Sequence, residues 1–149
     1  MDISVKTFEE LSTTDLYNLL QLRSEIFVVE QECAYQDIDG KDFIALHVIG
    51  YDKGEIVSYT RCFPPGAYFS EASIGRVLVR KSGRGHNYGW SIMNASLEAI
   101  HTHYSAETIK ISAQTYLRKF YESFSFSQIG LEYMEDGIPH IEMIKSSLF

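Results

Sequence analysis

The stretch from Ala72 to Tyr104 restricts the fold more than any other part of the chain. Ala72–Val79 is rich in small and β-branched residues, the composition of a strand. It runs into a bend, Ser82-Gly83-Arg84-Gly85-His86-Asn87-Tyr88-Gly89, after which Met93, Leu97, Ile100 and Tyr104 recur at helical spacing. A strand, a glycine-rich bend and a helix in that order make a place for an anion. The N–H groups of the bend and of the first helical turn lack internal partners, and the helix dipole turns its positive end towards them. Glycine lets the backbone approach a ligand closely, and Arg84 adds charge. A plain glycine-capped turn has the same pattern, so the bend alone leaves both readings open.

The other elements follow from periodicity. Ile3–Phe8 alternates as a first strand. Ser12-Thr13-Thr14-Asp15 supplies N-cap chemistry, and Leu16, Leu19, Leu20, Arg23 and Phe27 continue as a helix. Ala45–Tyr51 and Glu55–Phe63 read as strands joined at Asp52-Lys53-Gly54, and Pro64-Pro65-Gly66 ends the second. Thr108–Ala113 is a short strand. Leu117, Phe120, Tyr121 and Phe124 mark a helix, and Ser127–Met134 with Pro139–Lys145 forms a hairpin around Glu135-Asp136-Gly137. The order β-α-β-β-β-α-β-α-β-β is not a repeating βα wheel. It implies an α+β fold in which one central, mixed, twisted sheet of six to seven strands carries helices on its faces. The 149 residues amount to about one domain, spanning 1–149.

Composition narrows the function. The net charge of −7 disfavours nucleic-acid partners. No apolar run is long enough to span a membrane, and the N-terminus lacks the order of a signal peptide, so the expected location is the cytoplasm. Cys33 and Cys62 form neither a CxxC nor a metal pattern and are expected as free thiols. Between Glu30 and Asp42 lie Glu30, Glu32, Asp37, Asp39 and Asp42 against Lys41 alone. Such a run is ordinarily a solvated loop; the alternative is a surface that attracts a cationic substrate.

The phosphate ligand can be narrowed by spacing. No Gly-Lys-Ser/Thr closes the bend, so a P-loop is excluded. Gly83 and Gly85 suit a dinucleotide fingerprint, but Gly89 falls one residue late, which leaves a nucleotide-dependent oxidoreductase as a distant reading. Arg84-Gly85-His86-Asn87-Tyr88-Gly89 instead resembles the Arg/Gln-x-x-Gly-x-Gly/Ala signature of GNAT acetyltransferases. Asn87 stands at the first glycine, and asparagine tolerates a left-handed backbone. Five further blocks, in order, resemble the ElaA-like branch of that family. They are Arg23–Gln31 with Cys33, Tyr35-Gln36-Asp37 and Asp39; Ile74–Val79; Ser112-Ala113-Gln114; Phe120–Phe124; and Glu135–His140. At Ser125-Phe126 the family usually has Gly-Phe.

The resemblance implies a sheet splayed between its fourth and fifth strands, with acetyl-CoA as co-substrate and no metal. It implies that Val77, Leu78 and Val79 pair with the pantetheine arm. Arg84, Gly85, His86, Asn87, Tyr88, Gly89 and Trp90 would cradle the pyrophosphate. Tyr121 matches the tyrosine that protonates the leaving thiolate, and an N–H near Leu78 is the candidate oxyanion donor. A base must free the acceptor amine. Glu71 lies where some relatives place a carboxylate, and Glu30, His47 and His140 are the other candidates. Arg23, Phe27, Glu30, Tyr35, His47 and Arg76 would border an acceptor, which is a small-molecule or peptide amine. The implied activity is N-acetyl transfer by direct attack on the thioester; the alternative is a non-catalytic acyl-CoA sensor. Members of the family often pair, so a homodimer is an open state.

Overall fold

The computed structural model describes residues 1–146. Four strands form one antiparallel sheet in the order β1-β2-β3-β4: β1 (Asp2–Thr7), β2 (Leu46–Asp52), β3 (Glu55–Phe63) and β4 (Ser73–Val79). A second antiparallel sheet has the order β5-β7-β6, built from β5 (Ile109–Gln114), β6 (Ser127–Glu135) and β7 (Ile138–Lys145). One parallel bridge, Ala72 to Ile109, joins the two sheets. The central sheet is thus splayed between its fourth and fifth strands, as expected: its two parts meet at this bridge, and β4 and β5 part beyond it.

Helix α1 (Thr13–Arg23) begins where the Ser12 hydroxyl accepts from the Asp15 N–H at 3.0 Å. It continues as a π-helical segment, Ser24–Glu30, rather than as a regular α-helix. The wider turn rotates Ile26 and Phe27 out of the spacing that an α-helix would give them; such segments recur at functional sites. Helix α2 (Tyr88–Tyr104) covers one face of the first sheet, where Ile92, Met93 and Ile100 meet Val48 and Cys62. Leu19, Leu22 and Ile26 cover the other face, against Ile49, Tyr59 and Leu78. Residues 48 and 49 point to opposite faces, as a strand requires, so β2 is buried on both sides. Helix α3 is short (Arg118–Glu122), preceded by a tight turn at Thr115–Leu117.

The acidic stretch is not a solvated loop. Asp37 and Asp42 are buried, and they face a trio of arginines. Arg23 donates Nε to Asp37 at 2.9 Å and Nη1 to Asp42 at 2.6 Å. Arg61 reaches both oxygens of Asp39 at 2.8 Å and Asp42 at 3.0 Å. Arg76 Nε lies 2.7 Å from Asp37 Oδ1, off the line of its N–H, so that contact is ionic rather than a hydrogen bond. Burial alone would raise the Asp39 and Asp42 carboxyls, but the hydrogen bond from Arg61 to Asp39 and that from Arg23 to Asp42 outweigh it and hold both below the usual carboxylate range. The carboxylates neutralise arginines that the core could not otherwise take in.

Candidate active site

The parting of β4 from β5 opens a cleft of about 650 Å³. Val77, Leu78 and Val79 line it from β4, and Ile111, Ser112 and Gln114 from β5. Phe27 and Glu30 enter from the π-helical segment, Phe120 and Tyr121 from α3, and Glu135 and His140 from the β6–β7 hairpin.

A bulge shapes the β4 wall. Arg61 pairs with Gly75 and Tyr59 with Leu78, so Arg76 and Val77 together oppose Thr60. Arg76 takes a left-handed backbone, φ 49°, which aims its side chain at Asp37 and sets its guanidinium 5.3 Å from the centre of the Tyr35 ring. Past the bulge, Arg80 N–H donates to Val57 carbonyl at 2.7 Å. Peptide groups alternate along an antiparallel strand, so the Leu78 N–H also faces β3. The edge that faces the cleft carries the peptide groups of Val77 and Val79. The Leu78 N–H, expected as an oxyanion donor, therefore points away from the cleft.

Arg84 and Gly89 line the cleft at its other end. Arg84 Nε donates to the Val79 carbonyl at 3.2 Å, and Nη2 meets Glu30 at 2.7 Å. Gly85 (φ 88°) and Asn87 (φ 60°) both take left-handed conformations. Asn87 is the N-cap of α2, and its side chain makes no capping hydrogen bond. The first-turn N–H groups of this helix are therefore open to a ligand. Gly85, His86, Asn87, Tyr88 and Trp90 stand outside the cleft lining. The His86 and Tyr88 rings lie 5.5 Å apart, Tyr88 donates to Asp52 at 3.3 Å, and Trp90 is exposed.

Tyr121 is buried, and burial pushes its phenol well above the usual range, so it keeps its proton at neutral pH. His140 presents Nδ1 to the Ile138 carbonyl at 2.7 Å and Nε2 to Glu135 at 3.3 Å.

Three residues expected as the base or on the acceptor side lie elsewhere. Glu71 precedes β4 and accepts from Ser70, outside the cleft. His47 is wholly buried between the Tyr59 hydroxyl at 2.6 Å and the Asp42 carbonyl at 2.9 Å, and burial lowers its pKa. Arg23 is wholly buried and spent on Asp37 and Asp42. All three follow from tertiary packing that no local pattern reports. Cys33 borders the cleft, but its thiol donates to the Asp136 carbonyl at 3.4 Å. Cys62 is buried, which pushes its thiol up to about 12. Sequence reasoning missed Glu135, Ser112, Phe63 and Tyr68 as lining residues. Glu135 and Ser112 stood within blocks that carried the resemblance, whereas Phe63 and Tyr68 carried no signal.

The acetyltransferase (GNAT) domain model matches residues 14–147. Protein ElaA of Escherichia coli strain K12 is 42% identical over 138 residues, covering 91% of this chain and 90% of that protein. The crystal structure of E. coli ElaA superposes with a TM-score of 0.90 at 39% identity, covering 97% of this chain and 98% of that one. An acyl-CoA N-acyltransferase from Pseudomonas aeruginosa superposes with a TM-score of 0.91 at 35% identity, covering 97% and 99%. An aminoglycoside 6'-N-acetyltransferase complexed with coenzyme A shares the fold at 17% identity, with a TM-score of 0.75 and coverage of 100% and 98%. A GNAT domain over almost its whole length, with ElaA among its relatives, this chain belongs to the GNAT acetyltransferase family.

Proposed function

We propose that this protein transfers an acetyl group from acetyl-CoA to an amine by direct attack on the thioester. The observation that carries the reading is the composition of the cleft between β4 and β5. An uncapped helix N-terminus with Arg84 lies at one end, free strand peptides line the middle, and a proton-bearing phenol sits in the wall. Pyrophosphate suits the α2 N-terminus, because its N–H groups and dipole favour an anion. The pantetheine amides would pair with the exposed peptides of Val77 and Val79, as a further strand would.

The chemistry needs three services. The Val77 or Val79 N–H faces the cleft and can receive the charge that develops on the thioester oxygen. Tyr121 donates a proton to the departing sulfur. The acceptor must lose a proton before it attacks. Of the four candidates, Glu71 and His47 are out of reach and Glu30 is paired with Arg84, which leaves His140.

Incubation with acetyl-CoA and a panel of primary amines tests the reading. Thiol release that depends on the acceptor supports it; release at background with every acceptor counts against it. Calorimetry with CoA separates a sensor, which binds without turnover, from a chain that does neither.

A further inference from the structure

We propose that Glu135 and His140 together dock and deprotonate a primary ammonium, which makes the acceptor a cationic alkylamine; this rests on the acetyl-transfer reading above. The hairpin places Tyr133 opposite His140, and their rings stack at 6.0 Å. His140 Nδ1 lies 2.7 Å from the Ile138 carbonyl, which can only accept, so Nδ1 carries a proton. In the neutral ring, Nε2 then presents a lone pair. It faces a carboxylate oxygen of Glu135 across 3.3 Å. Two acceptors that close to one another need a positive donor between them, or a proton on the ring. An alkylammonium has three N–H donors and can give one to each.

Among the described residues no cationic side chain other than His140 pairs with Glu135, so a ligand can take that place. Ser112 Oγ donates to Glu135 at 3.4 Å and shares a second hydrogen bond with the Tyr133 hydroxyl; it is a neutral donor and leaves the carboxylate its charge. Gln114 stands opposite His140 on β5 and donates to Gln31 at 3.2 Å. Lys110, further along β5, is held by Glu142 at 2.9 Å. Asp136 in the turn adds a second negative charge at the same end of the cleft. Arg76 and Arg61 are engaged by Asp37, Asp39 and Asp42 and bring no free positive charge to oppose a cation. Both Glu135 and His140 face the cleft that Tyr121 also lines.

In the step this arrangement supports, Nε2 takes one proton from the ammonium. The freed nitrogen lone pair forms the C–N bond as the C–S bond breaks. Sulfur takes the Tyr121 proton, and the second proton shed by the nitrogen restores the phenol. The imidazolium beside Glu135 then returns its proton to water, so one proton is released per acetyl group.

The probe is 1,3-diaminopropane, added to the CoA-saturated protein and followed by imidazole NMR, with 1,3-propanediol as control and His140→Gln for assignment. The diamine should shift the His140 resonance and the diol should not. In Glu135→Gln the concentration needed should rise about tenfold. With acetyl-CoA and the same diamine, His140→Gln should lower kcat by about 100-fold or more with the KM for acetyl-CoA kept. Glu135→Gln should raise the diamine KM, because it removes the carboxylate that accepts from the ammonium. A His140 signal that ignores the diamine overturns the proposal. So does turnover that neither substitution alters, an outcome that leaves the acetyl-transfer reading standing. Binding to His140 without turnover, in contrast, supports the ammonium subsite and sinks the acetyl-transfer reading.

Discussion

The Lys110 N–H donates to the Ala72 carbonyl at 2.9 Å, and this bond fastens β5 to the start of β4 just before the two strands diverge. Everything proposed for the cleft depends on that divergence. Beyond the bond β4 offers an edge that β5 does not pair. The edge is protected from solvent by the π-helical segment on one side and α3 on the other, so its free peptide groups are not simply a site for aggregation.

Tyr121→Phe removes the hydroxyl and little else. With acetyl-CoA and a reactive amine, kcat should fall on the order of 100-fold or more, while CoA affinity by calorimetry stays within error. An unchanged kcat would assign the thiolate proton to another donor.

Asn87 holds a left-handed N-cap without a side-chain hydrogen bond. Asn87→Gly should therefore keep stability and CoA affinity. Asn87→Ala should cost about 1 kcal/mol in urea unfolding, because a Cβ-bearing residue without a local hydrogen-bonding group is strained there. Equal stability of the two variants would show that the left-handed turn relaxes without cost.

Arg84 bridges Glu30 and the Val79 carbonyl at the end of the cleft nearest the start of α2. Arg84→Ala should weaken CoA binding about fivefold at low salt, and the difference should shrink as ionic strength rises. A salt-independent loss would point to a packing role instead.

The Asp–Arg network sets the acid stability. The Asp39 and Asp42 carboxyls are depressed in the folded protein. Their stabilisation is complete above the unfolded carboxylate value, about 4, and is lost as pH falls through the lower folded values. The urea midpoint should fall steadily in that acid window, and less steeply in Asp39→Asn. Arg23→Met, which leaves Asp37 with Arg76 and Asp42 with Arg61 as their remaining arginines, should cost about 3 kcal/mol at neutral pH. An Arg23→Met midpoint equal to that of the parent would mean that the network contributes nothing.

Local chemistry made the elements legible. The alternation of β1, the Ser12 cap, the stripe Met93–Tyr104 and the Asp136-Gly137 turn are all short-range patterns, and the observed elements lie within a few residues of them. The ordered blocks from Arg23 to His140 carried the family, because they record side chains that meet in one cleft. Tyr121, Arg84 and His140 were legible for that reason.

Other assignments belonged to the tertiary structure alone. A charge run reads the same whether it is solvated or turned inward, so Asp37 and Asp42 looked like a loop surface until Arg23, Arg61 and Arg76 were seen to face them. The hydrophobic spacing of Leu19 to Phe27 does not separate an α-turn from a π-turn. Nor does periodicity reveal that a bulge at Arg76 decides which β4 peptides reach the cleft. By itself, the sequence determined the strands, the helices and the bend that can hold an anion, since those rest on contacts between near neighbours. Only the folded chain decided that Glu135 faces His140 across 3.3 Å while His47 and Arg23 are sealed away. Long-range packing sets which polar groups keep access to the cleft and which are used up in the core.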